Sequence, residues 1–105
     1  MNCHNGEKFL RESISSAIAQ TYKKWELIFW DNCSTDNSKK ILGKFNDKRI
    51  KYFKSRKFVS LYAARNLAIK KAKGDYISFL DTDDLWLKNK LSRQINYLLK
   101  KKQNN

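Results

Sequence analysis

Asp31 and Asp36, then Asp81, Asp83 and Asp84, form two acidic stretches in a 105-residue chain that carries 23 basic and 10 acidic residues, a formal charge of +13. Carboxylates clustered in so basic a chain need a chemical reason. Asp81-Thr82-Asp83 sets two of them two residues apart. Such hard oxygen donors suit Mg²⁺ or Mn²⁺, ions that keep several waters and take their remaining ligands from substrate phosphates. An ion held there could bind a diphosphate and, as a Lewis acid, stabilise its charge on departure. The plainer reading is that Asp83 and Asp84 cap a following helix. Asp31-Asn32 joins an acceptor to a side chain that both donates and accepts, as recognition of a nucleobase edge or a ribose requires. Ser34, Thr35 and Asp36 fit helix capping better. Arg65 could pair with a phosphate or with one of these aspartates; a solvated surface arginine is the equal alternative.

Whether these residues can meet depends on the elements that carry them. Leu10, Ile14, Ala17 and Ile18 recur at helical spacing within 7–20, with Asn5 as a candidate cap. The apolar, aromatic run WELIFW (25–30) reads as a buried strand. A polar segment, 31–38, then leads into a helix carrying Ile41, Leu42 and Phe45. Residues 50–53 read as a second strand. Ser60 opens a helix with Ala64, Leu67, Ala68 and Ala72 on one face and Gly74 as its stop. DYISFL (75–80) reads as a third strand, and an amphipathic helix bearing Leu87, Leu91, Ile95, Leu98 and Leu99 follows. This alternation predicts an α/β fold over 1–105, one domain, with a mostly parallel sheet flanked by helices. It opens on a loop and a helix where such folds open on a strand. In open α/β sheets ligands bind beyond the carboxyl ends of the strands. Asp31 follows the first predicted strand and 81–84 the third, so both acidic stretches fall on one rim.

Several other chemistries lack their residues. There is no Pro and only three Gly, which excludes collagen-like and Pro-rich classes. The longest apolar run, 27–30, is far too short to span a bilayer. The opening Met1-Asn2-Cys3-His4 has no signal-peptide profile, so a soluble cytoplasmic chain is expected. No GxGxxG or GxxxxGK[ST] occurs. His4, the single His, has no nucleophile to serve. Cys3 and Cys33, thirty positions apart without a CxxC, do not make a zinc pattern; free thiols are the favoured reading and one bridge the alternative. Of the basic residues 18 are Lys and five Arg, a bias that A/T-rich coding explains more simply than a nucleic-acid surface, where Arg is the usual reader. Trp25, Trp30 and Trp86 are read as packing residues.

The segments NGEKFLRESISSAIAQTY (5–22), WELIFWDNCSTDNS (25–38) and ARNLAIKKAKGDYISFLDTDD (64–84) resemble the family 2 glycosyltransferases in order and spacing. DNCSTDNS corresponds to that family's D-D/N-x-S-T-D loop and FLDTDD to its metal-binding DxD segment. The resemblance implies a partial GT-A (Rossmann-like) fold that binds a nucleoside-diphosphate sugar with Mg²⁺ or Mn²⁺ and transfers the sugar with inversion. By position, Asp31 would contact the base, Asp81 the ribose or the metal shell, and Asp83 the metal; Arg65 lies in the family's A-R-N segment. Three departures stand out. The first strand of the family is missing. Asn2-Cys3-His4-Asn5 replaces P-x-Y-N, so His4 stands where an aromatic residue helps seat the base. The acceptor-binding half and its general base are expected beyond Asn105, leaving no catalytic residue in this chain.

The expectation is thus the donor-binding half of such a transferase, truncated at both ends and not competent alone. A UDP-sugar is the first-choice donor, the acceptor a saccharide or lipid-linked glycan of cell wall or polysaccharide biosynthesis. The expected location is the cytoplasm, at the inner face of the membrane if peripheral contact with anionic lipid occurs. One alternative is a non-catalytic donor-binding module or degenerate fragment that self-associates through its open sheet. The other is a basic domain using Lys88, Lys90, Arg93 and 100–102 on an anionic membrane surface or, less favoured, on nucleic acid.

Overall fold

A computed structural model of the protein describes residues 1–103. Its strands are β1 (Asn2–Cys3), β2 (Leu27–Asp31) and β3 (Ile50–Lys54), and its helices are α1 (Leu10–Ile18), α2 (Ser38–Gly43), α3 (Leu61–Lys71) and α4 (Lys90–Gln103). The three strands form one parallel sheet in the order β1-β2-β3. Asn2 stands opposite Trp30, and Phe29 opposite Tyr52.

All five residues of β2 are buried, because helices cover both faces of the central strand. This is why its sequence is continuously apolar rather than alternating. Alternation along the pleat sends Phe29 to one face, where it packs with Cys3, Leu10 and Ile14 of the opening segment and α1 and with Leu42 of α2. Ile28 and Trp30 point to the other face, against Ala64 and Ala68 of α3. Small side chains at those two positions let α3 lie close to the sheet. Its start is fixed as the sequence predicts, with the Ser60 hydroxyl accepting from the Ala63 amide at 3.2 Å.

Three expectations need correcting. Asn2–Cys3 forms a short strand, where the sequence suggested a loop. α1 begins at Leu10 with no side-chain cap, and Asn5 is engaged elsewhere. The predicted strand at 75–80 makes no ladder among the described residues. A strand exists by bonding to a neighbour, and β1 pairs through two residues only. Leu80 is buried, while Tyr76, Ile77 and Phe79 remain about half exposed at 48%, 47% and 51%. They border a groove of about 1140 Å³ between the sheet, α3 and α4.

The chain beyond 80 is attached through α1. Gln20 is fully buried; its amide nitrogen donates to the carbonyls of Ser16 (3.1 Å) and Leu87 (2.7 Å), and its oxygen accepts from the Leu91 amide at 3.0 Å. The Trp86 amide donates to the Ser16 hydroxyl at 3.1 Å. α4 has no fully buried residue, so these polar anchors carry much of its attachment. Replacing Gln20 by Leu keeps the volume but strands the Leu87 carbonyl and the Leu91 amide. A loss of about 2–3 kcal/mol is expected, read as a lowered denaturation midpoint.

Candidate functional site

β2 ends in Asp31, whose side chain is on the Phe29 face and only 3% exposed. Its Oδ1 accepts the Ser34 amide at 2.9 Å and its Oδ2 the Tyr52 hydroxyl at 2.5 Å. Tyr52 stacks on Phe29 with ring centroids 5.9 Å apart. Burial first, then the hydrogen bond to Asp31, raise the Tyr52 pKa far above that of an ordinary phenol, so it remains a donor at neutral pH.

Between Asp31 and Ser34 the chain reverses through Cys33, at φ 57°. The following residues meet the opening loop, which also carries a left-handed residue, Asn5 at φ 53°. Asn5 Oδ1 accepts the Thr35 and Asp36 amides at 2.7 and 3.3 Å, and the Asn5 amide donates to the Ser34 hydroxyl at 3.0 Å. The Gly6 amide donates to the Ser38 hydroxyl, the Glu7 amide to Asp36, and the Asn37 amide to Glu7, at 3.0–3.1 Å. Asp36 resists a burial effect that would raise its pKa and is held low by donors from Ser38 and Glu7. Ser34 and Thr35, read from sequence as helix caps, instead stitch two loops together; only Asp36, accepting from the Ser38 amide at 3.0 Å, acts locally at the start of α2.

Asn32 serves the neighbouring loop. Its side chain exchanges two hydrogen bonds with the backbone of Val59, donating at 2.8 Å and accepting at 3.1 Å, and so holds 55–60 against the rim. His4 Nδ1 donates to the Asn32 carbonyl at 2.7 Å, and its ring meets the exposed Phe58 edge-on at 4.7 Å.

The second acidic stretch also lies at the rim. Asp81, Asp83 and Asp84 are exposed, with one carboxylate oxygen from each lying within 4.8 Å of the others. The Asp81 carbonyl accepts the Ser13 hydroxyl at 2.9 Å, and its carboxylate stands 3.8 Å from the Arg65 guanidinium. Arg65 also lies over Phe79 at 5.3 Å. α4 begins at Lys90, so Asp83 and Asp84 are not its caps. The two parts of the rim touch at Gly6, where an added Cβ would lie 2.9 Å from Thr82 Oγ1 and 3.2 Å from Cys3 Sγ. Only glycine lets the opening loop approach the acidic loop so closely.

The structure therefore groups Asp81 with Asp83 and Arg65 and brings His4 to the Asn32 carbonyl, while the Asp31 side chain turns instead to Ser34 and Tyr52; residues 4–6 lie between the two acidic stretches. Sequence reasoning missed Tyr52 and Phe58 and misassigned Asn5. The Asn-Gly dipeptide at 5–6 is a turn signal, and Tyr52 is identifiable as the cross-strand neighbour of Phe29 once register is known. Replacing Asn5 by Ala removes the acceptor of two amides and forces a Cβ-bearing residue without that compensation into left-handed backbone. The expected cost is about 2–3 kcal/mol, with Asn5→Gly milder by about 1 kcal/mol; denaturant titration of both variants checks the difference.

The chain matches the sequence pattern of "Glycosyl transferase family 2" over residues 1–104. The Escherichia coli UDP-Glc:alpha-D-GlcNAc-diphosphoundecaprenol beta-1,3-glucosyltransferase WfgD is 43% identical over 100 residues, 95% of this chain and 40% of that protein. A second E. coli enzyme of the same description, WfaP, is 41% identical over 95 residues, 90% of this chain and 38% of its own length. Among solved structures, S. aureus TarS superposes with a TM-score of 0.88 at 27% identity, over 94% of this chain and 31% of the TarS chain. Its complex with UDP-GlcNAc gives 0.86 at 27% identity, over 94% and 30%. The chain thus spans 40% or less of the length of these relatives. Motifs, fold and relatives agree, and the chain belongs to glycosyl transferase family 2.

Proposed function

We propose that this chain forms the donor-binding part of an inverting glycosyltransferase, seating a nucleoside-diphosphate sugar, a UDP-sugar first, across the rim described above. The observation that carries this reading is the joining of two acidic groups of different character. One is a buried carboxylate held by fixed donors at the end of β2; the other is an exposed cluster of three. The first suits a neutral hydrogen-bonding partner such as a base, and the second suits a cation. TarS has been solved with UDP and with UDP-GlcNAc, and WfgD is named for UDP-Glc, which supports uridine as the base.

In this reading Asp31 faces the base and His4, with Phe58 at its edge, forms the wall beside it. Asp81 and Asp83 hold Mg²⁺ or Mn²⁺. Their oxygens fit such an ion by type and by mutual proximity. When bound, the ion offsets the charge of the diphosphate and makes it a better leaving group. Arg65 pairs with Asp81 at 3.8 Å; with an ion held by that carboxylate, its guanidinium would be available to a phosphate oxygen. Inversion requires an acceptor hydroxyl to attack from the face opposite the diphosphate, with a base to take its proton. No described residue is assigned that role, and we place it in the acceptor-binding part of the whole enzyme. The acceptor is a saccharide or lipid-linked glycan. No helix among the described residues is long and apolar enough to cross a membrane.

Calorimetric titration of UDP into the purified protein, with and without Mn²⁺, tests the reading. Binding should strengthen with Mn²⁺, and Asp83→Ala should lose about tenfold or more of that gain while leaving the metal-free affinity nearly unchanged. A folded protein that binds no nucleoside diphosphate under either condition would overturn it.

A further inference from the structure

We infer that α4 and the residues just before it form a docking surface for an anionic lipid bilayer, with the helix lying along the headgroups. The inference is independent of the nucleotide reading above, since it uses none of the residues placed there.

From Leu85 to Gln103 the chain carries six cations, Lys88, Lys90, Arg93 and Lys100 to Lys102, and no carboxylate. Helical spacing sorts the residues of α4 into two stripes. Leu91, Ile95 and Leu98 form one and are half-buried along the groove. Arg93, Tyr97, Lys100 and Lys101 form the other, and all four are exposed. Large apolar side chains accompany these cations in solvent: Tyr97 is 64% and Leu99 48% exposed, and Leu85 and Leu87 are more so. Lys90 is already engaged, over Trp86 at 4.0 Å and 3.4 Å from the Ser78 hydroxyl, with Asp84 as its nearest counter-charge. Five cations therefore remain for a partner. The Thr21 hydroxyl bonds to that of Ser92 at 3.1 Å, and with Gln20 it fixes how α1 presents the helix.

An anionic bilayer satisfies both halves of this surface. Its headgroups take the cations, and the boundary with the acyl chains takes the leucines and the tyrosine ring, whose hydroxyl stays at headgroup depth. A nucleic acid would neutralise the cations but offers the exposed leucines little to bury against. One arginine among six cations is also a weak basis for phosphate and base recognition.

Cosedimentation with phosphatidylcholine vesicles, and with vesicles that also contain phosphatidylglycerol, tests the inference. The unmodified protein should bind the mixed vesicles, more weakly as salt rises, and should leave phosphatidylcholine alone. Replacing Lys100, Lys101 and Lys102 together by Ser should cost about a hundredfold, at about fivefold per cation. Tyr97→Ser with Leu99→Ser should cost about tenfold at unchanged salt dependence. All these side chains are exposed, and thermal midpoints confirm that each variant is folded. Equal binding to both vesicle types, or no loss in either variant, would overturn the inference. So would an equal loss on replacing the exposed Lys40, Lys44 and Lys48 by Ser, which would show adsorption by net charge alone. Tighter binding to random oligonucleotides, abolished by the lysine replacements and kept by Tyr97→Ser with Leu99→Ser, would assign the cations to nucleic acid and overturn it too.

Discussion

Burial of the Asp31 carboxyl group at the end of a strand covered on both faces is the constraint on which the rim depends. Taking such a group out of water costs several kcal/mol unless donors replace the lost solvent. Two donors do so, one local and one from the neighbouring strand. Meeting the local one requires the chain to turn back within three residues, which puts Cys33 in left-handed backbone. That turn sends Ser34 to Ser38 across to the opening loop, where Asn5, Gly6 and Glu7 complete their hydrogen bonds. The position of Gly6 then sets how closely Thr82 and the acidic loop approach. A single buried polar group at the end of β2 is thus linked by hydrogen bonds to the opening loop, and by the close packing of Gly6 against Thr82 to the acidic loop at 81–84.

What could be read from sequence was what local pattern controls. The WELIFW run identifies a buried strand because a strand covered on both faces has no polar positions to spare. Ser60 identifies a helix start because capping is a three-residue affair. The acidic segments stand out as a candidate site because their charge is anomalous in a chain of +13. What could not be read depends on pairing between distant residues. DYISFL has the pattern of a strand, yet pattern cannot supply a partner edge, and β1 offers only two residues. Asn5 has the type of an N-cap, but its side chain goes to amides thirty residues away. Tyr52 looks like one more aromatic in a β-strand until register places it beneath Asp31.

The basic residues also find a structural use. Arg49 lies over Trp25 at 3.7 Å while pairing with Asp47 at 2.7 Å. Lys90 lies over Trp86 at 4.0 Å, and Lys71 over Phe53 at 5.3 Å. Burial lowers the Lys90 pKa, consistent with an ammonium drawn in from water by the indole face. In each case a long cationic side chain covers aromatic surface that a small sheet cannot enclose, contributing about 0.5–1 kcal/mol at exposed sites. Part of the excess positive charge therefore follows from the many aromatic residues and the small size of the described core.

The two acidic groups differ in what holds them, and that difference suits different tasks. Asp31 is engaged through its side chain, so its geometry is fixed by the fold itself. The acidic loop is engaged mainly through its backbone, by Ser13 at Asp81 and by Ser16 and Gln20 farther on, while its carboxylates face solvent. Three carboxylates so close repel one another, and one arginine at 3.8 Å offsets only part of that repulsion in water. The loop is positioned while its charge is only partly compensated, by Arg65 at Asp81 and more distantly by Lys90 at Asp84. Fixed acceptors favour recognition, in which the cost of a wrong partner must be high. On the proposed reading, partly compensated charge on an anchored loop suits a cation, whose binding would relieve the mutual repulsion of the three carboxylates.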